Sequence, residues 1–277
     1  MPEEEKSSGQ VTDAAKAIAA ITENVPIYED ALQPAAKEIS KGLTIVAKAV
    51  NAALLPVAGL VWGADQIKEF VNKKVSQKLE NVPEEDIQSP KPHIGVPVVD
   101  ALRYTGDEEG LADLYANLLA TSMDRKTAIN AHPGFVDVIK NMSPDEAKIM
   151  KFLSTNDLYP LIDIALQHNP GTVFRITHRH VSLLGIDAQC EVPSLTSSYL
   201  DNLSRLGVIE FPATGHISDN NVYKRIEEFP QIKEIIDNFN KTDSKKAKII
   251  KQRLAVTDLG KQFIRACVVD KAIQPRD

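Results

Sequence analysis

A chain of 277 residues with 43% apolar, 25% charged and 5% aromatic residues and a formal net charge of −6 has the composition of a globular protein large enough for two ordinary units. Two cysteines far apart in sequence, Cys190 and Cys267, exclude a disulfide framework and zinc-ribbon spacing and suit a reducing cytosol. Residues 1–142 carry 14 Lys+Arg against 21 Asp+Glu (−7) and residues 143–277 carry 18 against 17 (+1), so neither half has the basic excess of a dedicated nucleic-acid domain.

The N-terminal Met-Pro-Glu-Glu-Glu-Lys is acidic where an export signal needs a basic start and an apolar run, so a cytoplasmic protein is expected. Residues 1–10 are charged and small, and residues 11–22 form an Ala-rich segment with good helix propensity but little to bury. Pro26 and Pro34 punctuate the chain before a longer helix begins near Ala35.

Residues 42–64 hold one charge, Lys48, and from Ala49 to Ala64 none. The length approaches the roughly 20 apolar residues that span a bilayer, but the run is rich in Ala and Gly and is broken by Pro56. Gly59 and Gly63 would allow close helix approach. Leu54, Leu55, Val57, Leu60, Val61 and Trp62 are therefore candidates for membrane contact or assembly, against the alternative of a helix buried in a bundle. Residues 65–80 are amphipathic, with Ile67, Phe70, Val71, Val75 and Leu79 on one side. Four prolines between 82 and 97 predict an extended connection, with His93 a loop residue.

Two helix starts follow, Thr105-Gly-Asp-Glu108 and Ser143-Pro-Asp-Glu146, each with the spacing of a capping box. Between them Leu111, Leu114, Tyr115, Leu118, Leu119 and Met123 recur at steps of three and four and predict a buried helix. His132-Pro-Gly134 breaks it, and Phe135, Val136, Val138, Ile139 and Met142 begin a second. The carboxylates at 107–109 answer the helix dipole better than they suggest chemistry.

Beyond Ser143 the spacing predicts a helix around Ile149–Leu153, an apolar helical continuation over 158–166, a strand over 173–181 and a helix over 194–206 stopped at Gly207. A short strand at 208–211, a helix over 230–240 and a second strand at 251–256 complete the pattern, which is similar to a winged helix-turn-helix with an enlarged wing.

Arg103-Tyr-Thr-Gly106, Leu114-Tyr-Ala-Asn-Leu-Leu-Ala120, His132-Pro-Gly-Phe135 and Ser143-Pro-Asp-Glu-Ala147 together resemble the abortive-infection alpha family of bacterial antiphage defence proteins, over a stretch from about Pro34 to Cys267. The resemblance implies a role in phage defence. It carries no catalytic or binding residues.

If the helix over 194–206 read DNA, its outward residues would be Thr196, Ser197, Ser198, Asp201, Asn202, Ser204 and Arg205. One cation and one anion neutralise few phosphates, so a protein contact is favoured. Lys245, Lys246, Lys248, Lys251 and Arg253 form a basic run that a solvated strand face explains equally well. His178 and His180 would share one face of a strand, but His168, Cys190 and His216 lack metal-site spacing, so structural or surface histidines are expected. No phosphate loop, nucleophile elbow, His-Glu-x-x-His run or Cys-x-x-Cys pair occurs, and neither catalysis nor a cofactor is expected.

The expected fold is mostly α: a flexible segment 1–33, a helical bundle or hairpin region over 34–142, and a winged-helix-like α+β domain over 143–277. The expected function is antiphage defence without catalysis, as infection sensor or effector. Its partners would be a phage or host protein, a companion defence protein, membrane lipid or further copies of the chain, with nucleic acid disfavoured. The alternative is a winged-helix DNA-binding transcriptional regulator.

Overall fold

The computed structural model describes residues 69–105, 108–156, 158–167, 173–241 and 246–273. The candidate segment Leu54–Trp62 and the Ala-rich N-terminal stretch lie outside them. The described part is mostly helical, with one four-stranded antiparallel sheet.

The turns Val71–Val75 and Ser76–Lys78 set Val75 and Leu79 into the core, as the amphipathic pattern predicts. The stretch expected to be an extended connection behaves otherwise. A short turn, Glu84–Asp86, is fastened to the end of a later helix by Arg125 N donating to Asp86 O (2.9 Å) and Gln88 N to Met123 O (2.8 Å). Helix α1 (Pro92–Thr105) then starts on a proline, where the missing N–H has no partner to lose. Its second proline, Pro97, lies on the exposed side, while Ile94, Val98, Val99 and Leu102 supply a buried face.

Helix α2 (Glu109–Met123) is the centre of the main core. The capping box read at Thr105 is not formed. Thr105 closes α1, its hydroxyl donating to Ala101 O (3.0 Å), and α2 begins after Glu108 without a side-chain cap. The next helix, α3 (Gly134–Lys140), opens where expected, with His132 Nδ1 accepting from Gly134 N (3.0 Å), and sets Phe135 edge-on to Phe263. At α4 (Pro144–Leu153) the predicted box is complete: Ser143 N donates to Glu146 Oε2 (2.6 Å) and Glu146 N to Ser143 Oγ (3.3 Å).

The apolar run after α4 is a strand, not a helix. Strand β1 (Leu158–Gln167) pairs along its length with β4 (Lys246–Val256) and from Ile162 onward with β2 (Phe174–Val181). Both faces of β1 are covered, which gives a continuous apolar run in place of alternation. Tyr159 and Leu161 belong to the main core, whereas Ile162 and Ile164 belong to a second cluster. Pro160 precedes the pairing with β2, where its missing donor breaks no ladder on that side.

Between β2 and β4 the chain forms α5 (Leu184–Asp187), α6 (Thr196–Arg205), β3 (Ile209–Glu210), α7 (Asn220–Glu227) and α8 (Pro230–Asn240). Gly207 has a φ of 76°, the left-handed stop expected after α6. The sheet order is β2-β1-β4-β3. Tyr223 and Ile226 of α7 and Ile232 of α8 build the second cluster with Ile162 and Ile164. Helix α9 (Asp258–Phe263), capped by Thr257, leads into the π-helical turn Ile264–Val268. That turn lies against α2: Asn117 Nδ2 donates to Cys267 O (2.9 Å) and Thr121 Oγ1 to Ala266 O (3.0 Å).

Lys271 and Asp124 make a fully buried ion pair at 2.9 Å, an ionic contact rather than an aligned hydrogen bond, which joins the end of the chain to the end of α2. Removing one member of such a pair leaves a buried charge without its counter-charge. Lys271→Met is expected to destabilise the protein by about 3–5 kcal/mol in urea unfolding. The double variant Asp124→Asn with Lys271→Met keeps the acceptor for Lys126 N and is expected to recover at least half of that loss. An unchanged midpoint for Lys271→Met would show that the pair contributes nothing.

Candidate functional site

Two neighbouring features are candidates for a site: helix α6 with the turn before it, and a cleft on the sheet. The turn is held by Asp145, in the first turn of α4 and 5% exposed. Its carboxylate accepts from Glu191 N (2.8 Å), Val192 N (3.0 Å), Lys148 Nζ (3.1 Å) and Tyr199 Oη (3.1 Å). Burial alone would raise its pKa, but the N–H donors of Glu191 and Val192, with Lys148 and Tyr199, outweigh it and hold the group at about 2. Sequence reading took Asp145 only as part of a helix start. A carboxylate at that position also fastens the segment that launches α6.

Five candidate residues of α6 are engaged within the fold. Thr196 is buried and its hydroxyl donates to Pro193 O (2.6 Å). Ser197 Oγ donates to Arg179 O of β2 (3.2 Å), and Asp201 Oδ1 lies 3.1 Å from His180 Nδ1. Asn202 Nδ2 donates to Glu146 Oε1 (2.8 Å) and Asn141 O (2.9 Å). Its Oδ1 accepts from Arg205 Nε (3.0 Å) and Nη2 (2.6 Å). The structure thus brings Thr196, Ser197, Asp201, Asn202 and Arg205 onto one helix, tied to α4, β2 and one another. Beside the start of α6, Ile186, Val192 and Leu195 leave large apolar surfaces in solvent at 42%, 43% and 47% exposure.

The cleft, about 320 Å³ in volume, is lined by residues of β1, β2, β4 and the loop after β3. Its floor holds Asp163, 3% exposed, which accepts from His180 N (2.9 Å) and Gln252 Nε2 (3.0 Å). His180 has a φ of 52°, a left-handed conformation uncommon for a residue with a side chain. Its imidazole stacks on Phe211 at 3.7 Å and 15°. His178 packs instead toward Phe239 of α8. The two imidazoles therefore do not share a face: strand alternation fails because the β1–β2 register shifts next to His178 and the backbone turns at His180. His216, Gly215, Arg179 and Lys251 complete the rim. The basic run is spread along β4, where Lys248 sits 3.9 Å above the Phe174 ring and Lys251 donates to Asn220 Oδ1 (2.8 Å).

Both cysteines are buried, and burial pushes the Cys190 thiol up to about 11 and the Cys267 thiol well above its ordinary value. Among the described residues no group of three or more His, Cys, Asp or Glu is arranged to hold a metal, and no helix is long and apolar enough to cross a membrane.

A family model described as "Abortive infection alpha" matches residues 63–267. The chain belongs to that family. The match includes α1 to α9 and the sheet, so the abortive-infection alpha fold described here is the family's matched region rather than an appendage. Comparison with curated proteins finds no match. Among solved structures, an uncharacterized protein from the marine bacterium Alcanivorax borkumensis SK2 is similar at 17% identity and a TM-score of 0.35, covering 47% of this chain and 89% of its own.

Asp145→Asn is expected to destabilise the protein by roughly 2 kcal/mol at neutral pH, from a pKa depressed from an ordinary carboxylate value to about 2. A depressed pKa stabilises above the unfolded value and is lost as pH falls through the folded one, so the gap between wild type and variant should close between pH 4 and 2. Thermal unfolding across that range measures it. A gap that stays constant would mean that the carboxylate's charge is not what holds the turn.

Proposed function

We propose that this abortive-infection alpha protein acts in the cytoplasm without catalysis, detecting infection or carrying out the response through contact with a phage or host protein. The observation that carries this reading is the commitment of α6 to its own fold. We read residues 144–263 as an elaborated winged helix: α4, β1, the α5–α6 pair, β3 and β4, with the β2 arm and the α7–α8 pair added. In that arrangement α6 is the helix that would enter a DNA groove. Its Thr196, Ser197, Asn202 and Arg205 are already engaged in internal hydrogen bonds, and Asp201 pairs with His180. Base edges would have to displace all of these with little phosphate attraction to offset the loss. The exposed apolar side chains of Ile186, Val192 and Leu195 at the same end suit a protein surface better.

Phage challenge of cells expressing the protein tests this. Leu195→Asp and Ile186→Asp are expected to reduce protection at least tenfold in plating efficiency while the purified variants keep the wild-type unfolding midpoint. Full protection by both variants, or retention of the wild type on DNA that weakens steeply with salt, would overturn the reading in favour of a DNA-binding regulator.

The uncharged run from Ala49 to Ala64 is the part of the sequence suited to membrane engagement or assembly with further copies or a companion protein. Fractionation before and during infection compares wild type with Leu60→Lys. Movement of the wild type alone to the membrane assigns the run to lipid, and protection with both proteins in the soluble fraction assigns it to the scaffold.

A further inference from the structure

We propose that the cleft between Asp163, His180 and Phe211 is a binding site for a mononucleotide, with the base against the His180–Phe211 wall and the phosphate at the Arg179 rim. The volume of about 320 Å³ is at the small end of ligand pockets, which run from about 300 to 1,000 Å³, and suits a single nucleotide rather than a polymer or a folded partner.

Asp163 supplies the first argument. It is 3% exposed and accepts hydrogen bonds from two neutral donors, His180 N and Gln252 Nε2. Among the described residues no Lys, Arg or His side chain forms an ion pair with it. A carboxylate has about four acceptor positions, so two remain for N–H groups entering from the cleft, and a nucleobase edge presents such donors.

The wall supplies the second. His180 and Phe211 are nearly parallel at 3.7 Å, so each covers one face of the other and a base would extend the stack on an outer face. The left-handed backbone at His180, a costly conformation, is held by the bond of its N–H to Asp163, so strain is concentrated on the residue that makes both the floor contact and the wall.

Charge supplies the third. The four strands carry six Lys and Arg (Arg175, Arg179, Lys246, Lys248, Lys251, Arg253) against two carboxylates, Asp163 and Glu210, in a chain of net charge −6. Of these six, Arg179 and Lys251 line the cleft and Lys251 is held by Asn220, so Arg179 is the cation that attracts a phosphate to the rim while the buried carboxylate below selects for a donor. Asp201 of α6 touches His180 Nδ1, so the wall of the cleft is continuous with the helix argued above to support a protein contact. The proposal does not depend on that reading, because it is tested on purified protein.

Isothermal titration of the purified full chain with AMP, GMP, CMP and UMP, and separately with inorganic phosphate, tests it. At least one nucleotide is expected to bind with micromolar to sub-millimolar affinity and tighter than phosphate. Arg179→Ala, on the exposed rim, and Asp163→Asn are each expected to weaken it at least tenfold. If Asp163→Asn does not fold, Arg179→Ala and Phe211→Ala carry the test. Absence of binding by all four nucleotides at millimolar concentration overturns the proposal. So does phosphate binding as tightly as the nucleotides, or nucleotide affinity unchanged in the folded variants.

Discussion

The fold depends on how the end of the chain closes on α2. Of the 15 residues of α2, 12 are buried, so the helix needs partners on nearly every side, and polar positions among them must be satisfied from within. Asn117 and Thr121 meet this by donating to the carbonyls of Cys267 and Ala266, in a π-helical turn that departs from α-helical pairing and so presents those carbonyls sideways. Asn117 also accepts from Lys271 N (3.2 Å), and the Lys271–Asp124 pair locks the next turn. Residues some 150 positions apart in sequence thus complete each other's hydrogen bonds. Because the unmade bonds would be buried, this closure favours one register of the final helix over any slide along α2.

From that centre the remaining elements take their places. Phe263, at the end of α9, reaches Phe135 of α3, and Gly260 lies so close to Val208 that a Cβ there would overlap its carbonyl oxygen at 2.0 Å. The approach is set by Thr257, whose hydroxyl donates to Gly207 O (2.6 Å) and accepts from Gly260 N (2.9 Å). The C-terminal helix is therefore keyed to the exit from α6 as well as to α2. Asp145 performs the matching task at the entrance to α6. A second bridge ties further elements: Asp187 of α5 accepts from Arg225 Nη2 and Nη1 of α7 (2.6 and 2.7 Å) and from the Tyr159 hydroxyl of β1.

Signals that depend on a few adjacent residues were legible in the sequence. The Ser143 capping box, the Gly207 stop, the helix over Pro230–Asn240 and the strand ending at Val181 rest on local hydrogen bonding and φ preference. Signals set by tertiary surroundings were not. The run over 158–166 looks helical because both faces of β1 are buried, and buried strands lose the alternation that marks them. Thr105 carries the residues of a cap, but the preceding turn claims its hydroxyl first. Pro92 and Pro97 suggested an extended segment, whereas one occupies a helix start and the other an exposed turn. The candidate helix residues were placed on the right element, yet Ser197, Asp201 and Asn202 find partners at positions 141, 146, 179 and 180, which no spacing within α6 reveals. Asp163 was hidden for the same reason, as a lone acid in an apolar run.

The aspartates of the interior separate structural from available charge. Asp124 is matched by Lys271 and Asp187 by Arg225, each a cation from another part of the fold, while Asp145 is matched by Lys148 of its own helix and by the N–H groups of Glu191 and Val192. These three join elements, and their pairing explains why a buried charge is tolerated there. Asp163 is as buried as Asp145 but is held by neutral donors, even though Arg and Lys residues crowd the same strands. Lys248 sits over Phe174, Lys251 turns to Asn220, and neither is directed at the carboxylate. Joining elements would be served by any one of these cations on Asp163. That no cation among the described residues pairs with it, at the floor of an open cleft beside a left-handed histidine, is the arrangement expected of a carboxylate that receives a donor from outside the chain.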